Sequence, residues 1–180
     1  MAPARVASWA LGLALLAAAI WVVATSERSA PPIEPGLAAP DFSLPLLGGG
    51  DVSLRALRGK VVLVNFWATW CAPCEQEMPA MQRLYAQLAP RGFELVAVSV
   101  DEDAEAVARF RERLALGFPI ALDPQRDAAE RYQSYRYPES FLIDREGTLV
   151  ARYIGERDWD AAEYSGRIAR LLESPAAPDR

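Results

Sequence analysis

The sequence predicts an α/β domain with a mixed central sheet flanked by helices. Three observations carry that expectation. Apolar runs of strand length alternate with amphipathic stretches of helical spacing, and the last two strands are separated only by the turn Arg145-Glu146-Gly147, so they form a hairpin. The only two cysteines, Cys71 and Cys74, stand where the apolar run VVLVNFWA gives way to a helix. A chain of 180 residues, 52% apolar, suits one domain with an appendage.

In chain order, Val6 to Thr25 (VASWALGLALLAAAIWVVAT) is 20 residues without a charge, a bilayer-spanning length. Arg5 precedes it and Trp9 and Trp21 lie near its ends, so residues 1–25 are expected to form a transmembrane anchor with a cytoplasmic amino terminus. A cleaved signal peptide is the alternative, and both export the remainder of the chain. Ser26 to Pro40 carries four prolines and reads as a linker, and the domain is expected over residues 41–173 with a tail at 174–180. FSLPLLGGGDVSL reads as a short hairpin turned at Gly48 to Gly50. VVLVNFWA and FELVAVSV are continuously apolar, as strands buried on both faces are. Between them Pro73 to Ala89 is a helix, with Met78, Met81, Leu84, Tyr85 and Leu88 at helical spacing. Ala104 to Leu114 is a second helix, FPIAL from Phe118 a strand, and Gln125 to Tyr132 a short helix. SFLID and TLVARYI form the closing hairpin, and a helix from about Ala161 to Leu172 covers the sheet.

Composition excludes several chemistries. There is no histidine, hence no imidazole base, no Ser-His-Asp triad and no His-ligated metal. Two cysteines are too few for a structural zinc site. With 24 acidic against 19 basic residues and net charge -5, no face suited to nucleic acid is advertised.

The thiol pair remains. A thiol at a helix amino terminus meets unpaired N–H groups and the positive end of the helix dipole, which stabilise thiolate. Cys71 is therefore expected to be the exposed nucleophile. Cys74, one turn on, is placed to attack a mixed disulfide at Cys71. A purely structural bridge would close a four-residue loop, worth about 2 kcal/mol against about 5 for a loop of ~100 residues.

The run VVLVNFWATWCAPCEQEMPAM resembles the thioredoxin superfamily, and within it the TlpA/ResA type of membrane-anchored reductases that serve cytochrome c maturation. The resemblance covers about Asp41 to Leu172. Pro79 stands where the family kinks its active-site helix, Tyr137-Pro138 where it places a cis-proline facing the CxxC, and the helix and strand between Val100 and Asp123 match the insertion of the TlpA-like branch. It implies a thioredoxin-like fold with an amino-terminal hairpin and a helix-strand insertion. Where thioredoxin carries a buried aspartate, this chain has Asn65, which cannot take a proton. Glu77, three residues after Cys74, matches a glutamate that ResA-type proteins use near the buried thiol; the alternative is that Glu77, like Glu75, is a solvated first-turn acid.

The expected function is therefore reduction of protein disulfides outside the cytoplasm. Cys71 and Cys74 form the redox-active disulfide, Glu77 moves protons, and Trp70, Tyr137 and Pro138 bind substrate. No cofactor is expected. Electrons would come from a membrane thiol transporter, and the client implied by the resemblance is the CxxCH site of apocytochrome c, with general disulfide reduction or copper-site thiol reduction as alternatives. A thiol peroxidase would normally use a lone cysteine in a Pro-x-x-x-Thr-x-x-Cys loop, whereas Ala68 lies three before Cys71 and the pair is intact. A non-enzymatic anchored adaptor would be expected to have lost the pair. Trp67, Tyr135 and Phe141 read as core, and Asp158-Trp159-Asp160 as a helix-start feature.

Overall fold

A computed structural model describes residues 33–174, with residues 12, 14–18, 20 and 21 nearer the amino terminus. The chain divides into two units, Met1–Pro32 and Ile33–Arg180. In the first, the described residues are helical, and Leu15, Leu16, Ile20 and Trp21 are exposed. Among the described residues no helix is long and apolar enough to cross a membrane. Most of the expected span 6–25 lies outside them, as do residues 26–32 of the expected linker and 175–180 of the tail.

The second unit opens with residues 33–40, assigned from sequence to the linker. They run along the domain. The Gly36 N–H donates to Leu149 O (2.8 Å), the Ala39 N–H to Gly147 O (2.9 Å), and Ala38 bridges to Thr148. Strands β1 (Ser43–Pro45) and β2 (Asp51–Ser53) follow as an antiparallel pair. Their turn is closed by Leu46 N–H donating to Gly50 O (2.9 Å), with Gly49 and Gly50 at φ of 94° and 77°, a region open to glycine at little cost. This hairpin is a sheet of its own.

The main sheet comprises β3 (Val61–Trp67), β4 (Phe93–Ser99), β5 (Ile120–Leu122), β6 (Glu139–Ile143) and β7 (Leu149–Ile154), in the order β5-β4-β3-β6-β7. The β3-β4 and β4-β5 pairs are parallel, β3-β6 and β6-β7 antiparallel. Both β3 and β4 are buried along their whole length, which is why their sequences are continuous apolar runs rather than alternating ones. The helices are α1 (Ala72–Leu88), α2 (Ala104–Arg113), α3 (Asp127–Arg131) and α4 (Ala162–Glu173).

Successive right-handed crossovers from β3 through α1 to β4 and through α2 to β5 progress in one direction and put α1 and α2 on the same face. Odd-numbered residues of β3 point to that face. Asn65 reaches α1, and the Trp67 ring lies 4.7 Å from that of Phe110 on α2. Even-numbered Phe66 points the other way, into a cluster with Tyr132 (5.2 Å) and Phe141 (5.8 Å). The fold is thus the expected thioredoxin-like arrangement, with the α2-β5 insertion between Val100 and Asp123.

The short helix expected over 125–132 is confined to five residues. The Asp123 carboxylate accepts the N–H groups of Ala128 (3.3 Å) and Ala129 (2.9 Å), so the helix starts there, between Arg126 and Gln133 at φ of 63° and 48°.

Phe141 is fully buried and also packs on Tyr132 at 4.9 Å. Phe141→Ala should lower unfolding free energy by about 3–5 kcal/mol in urea titration, the range for deleting a buried aromatic ring. A loss under about 1 kcal/mol would show that the cluster is not tightly packed.

Candidate active site

The turn between β3 and α1 is held from β4 outward. The Asp101 carboxylate accepts the Thr69 N–H (2.9 Å), the Thr69 hydroxyl (2.6 Å) and the Ser99 hydroxyl (2.8 Å), while Cys71 N–H donates to Ala68 O (3.2 Å). Asp101 was not picked out from the sequence, because nothing in a lone acid after a strand marks it as the anchor of a turn 32 residues earlier.

That turn delivers Cys71 as the N-cap of α1. Its sulfur accepts the Cys74 N–H at 3.3 Å, and Pro73 lies in the first turn, where its missing N–H costs nothing. Cys71 and Cys74 form a disulfide, with Cα atoms 5.3 Å apart. Cys74 is completely buried and Cys71 keeps 6% of its surface, so the expectation of an exposed nucleophile holds only in the relative sense. Trp70, immediately before Cys71, is 66% exposed and its ring meets Tyr137 at 6.0 Å. The Tyr137-Pro138 bond is cis.

Trp70, the residue before Cys71, lines a pocket of about 340 Å³ together with Tyr137, Tyr135, Arg126 and Ser134. Tyr135 corrects the sequence expectation. It is 72% exposed rather than core, because it falls in the irregular segment between α3 and β6 where no periodicity orients it inward. Trp67 and Phe141 are buried as expected. Arg152 steadies the same segment, donating to Gln133 O (2.7 Å) and to the buried Glu139 carboxylate (2.6 Å).

Behind the disulfide lies Glu77, one helical turn after Cys74 and 3% exposed. Asn65 Nδ2 donates to its Oε1 (2.9 Å) and also to Ser140 Oγ (2.9 Å). Its Oε2 accepts the Arg157 main-chain N–H and the Trp159 indole N–H, each at 3.0 Å. Burial pushes the Glu77 carboxyl up to about 7, against the opposing pull of these three hydrogen bonds and the Arg157 charge. A cavity of about 320 Å³ between α1 and the segment after β7, lined by Pro79, Arg83, Glu156 and Arg157, reaches Glu77. Glu75 differs: its carboxylate faces outward and pairs with Arg113 at 2.5 Å, which holds it below the usual carboxylate range.

Trp159 is the second correction. It is 1% exposed, packs against Tyr153 (5.5 Å) and Tyr164 (5.3 Å) and bonds Glu77, instead of starting a helix. Helix α4 begins after Ala161 with no side-chain cap, and Asp160 is engaged with Arg83 at 2.5 Å. The contact between Trp159 and Glu77 spans 82 positions in sequence, so no local signal could have revealed it. Among the described residues no cluster of acidic or cysteine side chains could hold a metal ion.

Residues 35–152 match the AhpC/TSA family. The chain is 41% identical over 128 residues to the thiol-disulfide oxidoreductase ResA of Bacillus anthracis, covering 71% of this chain and 74% of that one. It belongs to the ResA-type thiol-disulfide oxidoreductases. ResA of Geobacillus kaustophilus is 43% identical over 143 residues, 78% of this chain and 81% of its own. A crystal structure from Chlorobium tepidum, provisionally assigned as the thiol:disulfide interchange protein DsbE, superposes with a TM-score of 0.73 at 35% identity, covering 78% of this chain and 99% of that one. Membership of this family makes the chain a redox enzyme of thiol-disulfide exchange.

Burial of Glu77 also bears on stability. A carboxyl whose pKa is raised by folding binds its proton more tightly in the folded state, so its contribution is complete below the ordinary glutamate range and is lost as pH rises through about 7. Relative to Glu77→Gln, which does not titrate, the wild type should lose up to about 3 kcal/mol of unfolding free energy across that window. Urea titrations at stepped pH measure the difference; parallel pH curves for the two proteins would contradict it.

Proposed function

We propose that this oxidoreductase works as a reductant of disulfides in exported proteins, with Cys71 as the attacking thiol and Cys74 as the resolving one. The observation that carries the reading is the combination of Cys71 at the N-cap of α1 with a buried carboxyl one turn behind Cys74. In the dithiol form, Cys71 thiolate attacks a client disulfide, forming a mixed disulfide and releasing one client thiolate. Cys74 then gives its proton to Glu77 and attacks Cys71 Sγ. The second client thiol leaves, two electrons have passed to the client, and the enzyme is left as the Cys71–Cys74 disulfide. Glu77 suits the proton step because a carboxyl near 7 is close to balanced between its two forms at neutral pH.

Client backbone docks beside Pro138, with Trp70 and Tyr137 as walls; the exposure of Trp70 and its ring contact with half-buried Tyr137 support this. The reductive direction is favoured by chemistry around the pair. Ala72-Pro73 adds no positive charge, and Arg113 is committed to Glu75. Strong oxidants need such a charge to stabilise their thiolate.

The client is apocytochrome c, through its CxxCH cysteines, and a membrane thiol transporter returns the enzyme to the dithiol. The resemblance to ResA-type proteins supports both. Residues 1–25 anchor the chain in the cytoplasmic membrane with the domain outside; the uncharged run from Val6 to Thr25 and the exposed apolar residues Leu15, Leu16, Ile20 and Trp21 support that placement.

Cys74→Ser removes the resolving thiol, so mixed disulfides should accumulate on Cys71 in the native host, with apocytochrome c as the principal adduct and Cys71→Ser as the blank. Recovery mainly of copper proteins or a broad mixture of envelope proteins would reject the cytochrome client. Absence of any Cys71-linked adduct would reject the assigned roles of the two thiols.

A further inference from the structure

Three N–H donors converge on the Glu77 carboxyl, and they divide unequally between its oxygens. Oε2 accepts two, from the Trp159 indole and the Arg157 main chain, both at 3.0 Å. Oε1 accepts one, from Asn65 Nδ2 at 2.9 Å. An indole N–H and a main-chain N–H donate only and cannot turn to accept. A proton on Oε2 would have to displace one of them, whereas Oε1 keeps an open lone pair. The neighbour of Oε1 also differs in kind. Asn65 carries an acceptor, and its Oδ1 is buried with no hydrogen-bond partner among the described residues. By turning its amide, Asn65 has an atom to offer a protonated Oε1; nothing bonded to Oε2 has.

We infer that Trp159 is a positioning residue for thiol exchange: its indole N–H, with the Arg157 amide, closes Oε2 of Glu77 and leaves Oε1 as the oxygen that takes up and releases the proton. The functional consequence rests on the proposed role of Glu77 in proton transfer. The indole is held rigidly for this task. It is 1% exposed, with Tyr153 of β7 on one side and Tyr164 of α4 on another. Arg157 is fixed in parallel, because its guanidinium donates to Ile154 O (2.9 Å) and Glu156 O (2.7 Å), pinning the loop that presents its N–H.

The other charged or titratable groups around Glu77 are few and mostly engaged. Cys74 precedes it on α1, and Arg83 on the same helix pairs with Asp160. Glu156, Arg157 and Asp158 line the cavity from the segment after β7. On β6, Glu139 is bound to Arg152 at 2.6 Å, and on β3 the facing residue, Asn65, does not titrate.

Trp159→Phe keeps a ring against Tyr153 and Tyr164 and deletes the donor. Followed by infrared spectroscopy through its protonated C=O band, assigned with Glu77→Gln, Glu77 should titrate about one pH unit higher in the variant. The pH profile of disulfide exchange should move with it. In a Glu77→Gln background the same substitution should leave the profile where Glu77→Gln alone sets it, since the two act through one contact. Should the smaller ring loosen the fold, β-(3-benzothienyl)alanine at position 159 retains the indole shape without the N–H, and the same shift is expected. An unmoved Glu77 titration in a cooperatively folded variant overturns the inference, as does a shifted exchange profile that persists when Glu77 is absent. The infrared shift decides the matter independently of whether Glu77→Gln slows exchange, so failure of the proton-transfer reading is distinguishable from failure of this one.

Discussion

A carboxyl buried to 3% exposure must be neutral, or surrounded by donors, or poised between the two, and Glu77 is held in the third condition. Burial alone would drive it to the neutral form. Three N–H donors alone would hold it ionised. Burial outweighs the donors, so the carboxyl reaches equal shares of its two forms at about 7 instead of in the ordinary glutamate range, and that outcome depends on groups from four places in the chain: Asn65 on β3, Glu77 itself on α1, and Arg157 and Trp159 after β7, with Ser140 on β6 tying Asn65 in place. The fold exists around this site in the sense that the central strand, the active-site helix and the closing segment must all be correctly packed before the balance appears.

The disulfide depends on the same frame from the other side. Strand β3 is buried over its full length and ends at a turn bolted to β4 by Asp101, so Cys71 arrives at the start of α1 with little freedom. Cys74, on the inner side of the helix, has no contact with solvent, while Cys71 retains 6% of its surface. In the proposed cycle this asymmetry assigns the roles: the thiol that must meet a client is the one that keeps some surface, and the thiol that must only meet its neighbour is sealed, one helical turn before a proton acceptor. Keeping water from the second thiol raises the cost of its thiolate, which is why a carboxyl with a raised pKa is better suited there than an ordinary surface acid.

Much of this was legible in the sequence for physical reasons. Strands β3 and β4 announce themselves because full burial demands unbroken apolar runs, and Gly49, Gly50 and Gly147 mark turns whose backbone lies at positive φ. Cys71, Cys74 and Glu77 lie within two turns at one helix start, so spacing set them near one another, while the reading of Glu77 as a buried acid also needed the resemblance to ResA-type proteins. Residues whose roles arise from distant partners were not legible. Trp159 sits between two aspartates and reads as a helix start, yet its partner is 82 positions away. Tyr135 follows a short helix in a segment without periodicity, and an aromatic there gives no sign of whether it turns inward or out; it lies in the wall of the pocket that Trp70 and Tyr137 also line. Asp101 acts through a turn whose need for an anchor is visible only in three dimensions.

The central claim is that the Glu77 carboxyl accepts the proton of Cys74 during exchange, and the rate of disulfide reduction as a function of pH measures it most directly. Stopped-flow kinetics of the dithiol enzyme with a model disulfide, from about pH 6 to about pH 9 where thiols titrate, should show an inflection near 7 with the wild type, and in Glu77→Gln a slower resolving step without that inflection. Superimposable profiles for the two proteins, with the fold intact, would contradict the account and leave Glu77 as a buried structural acid.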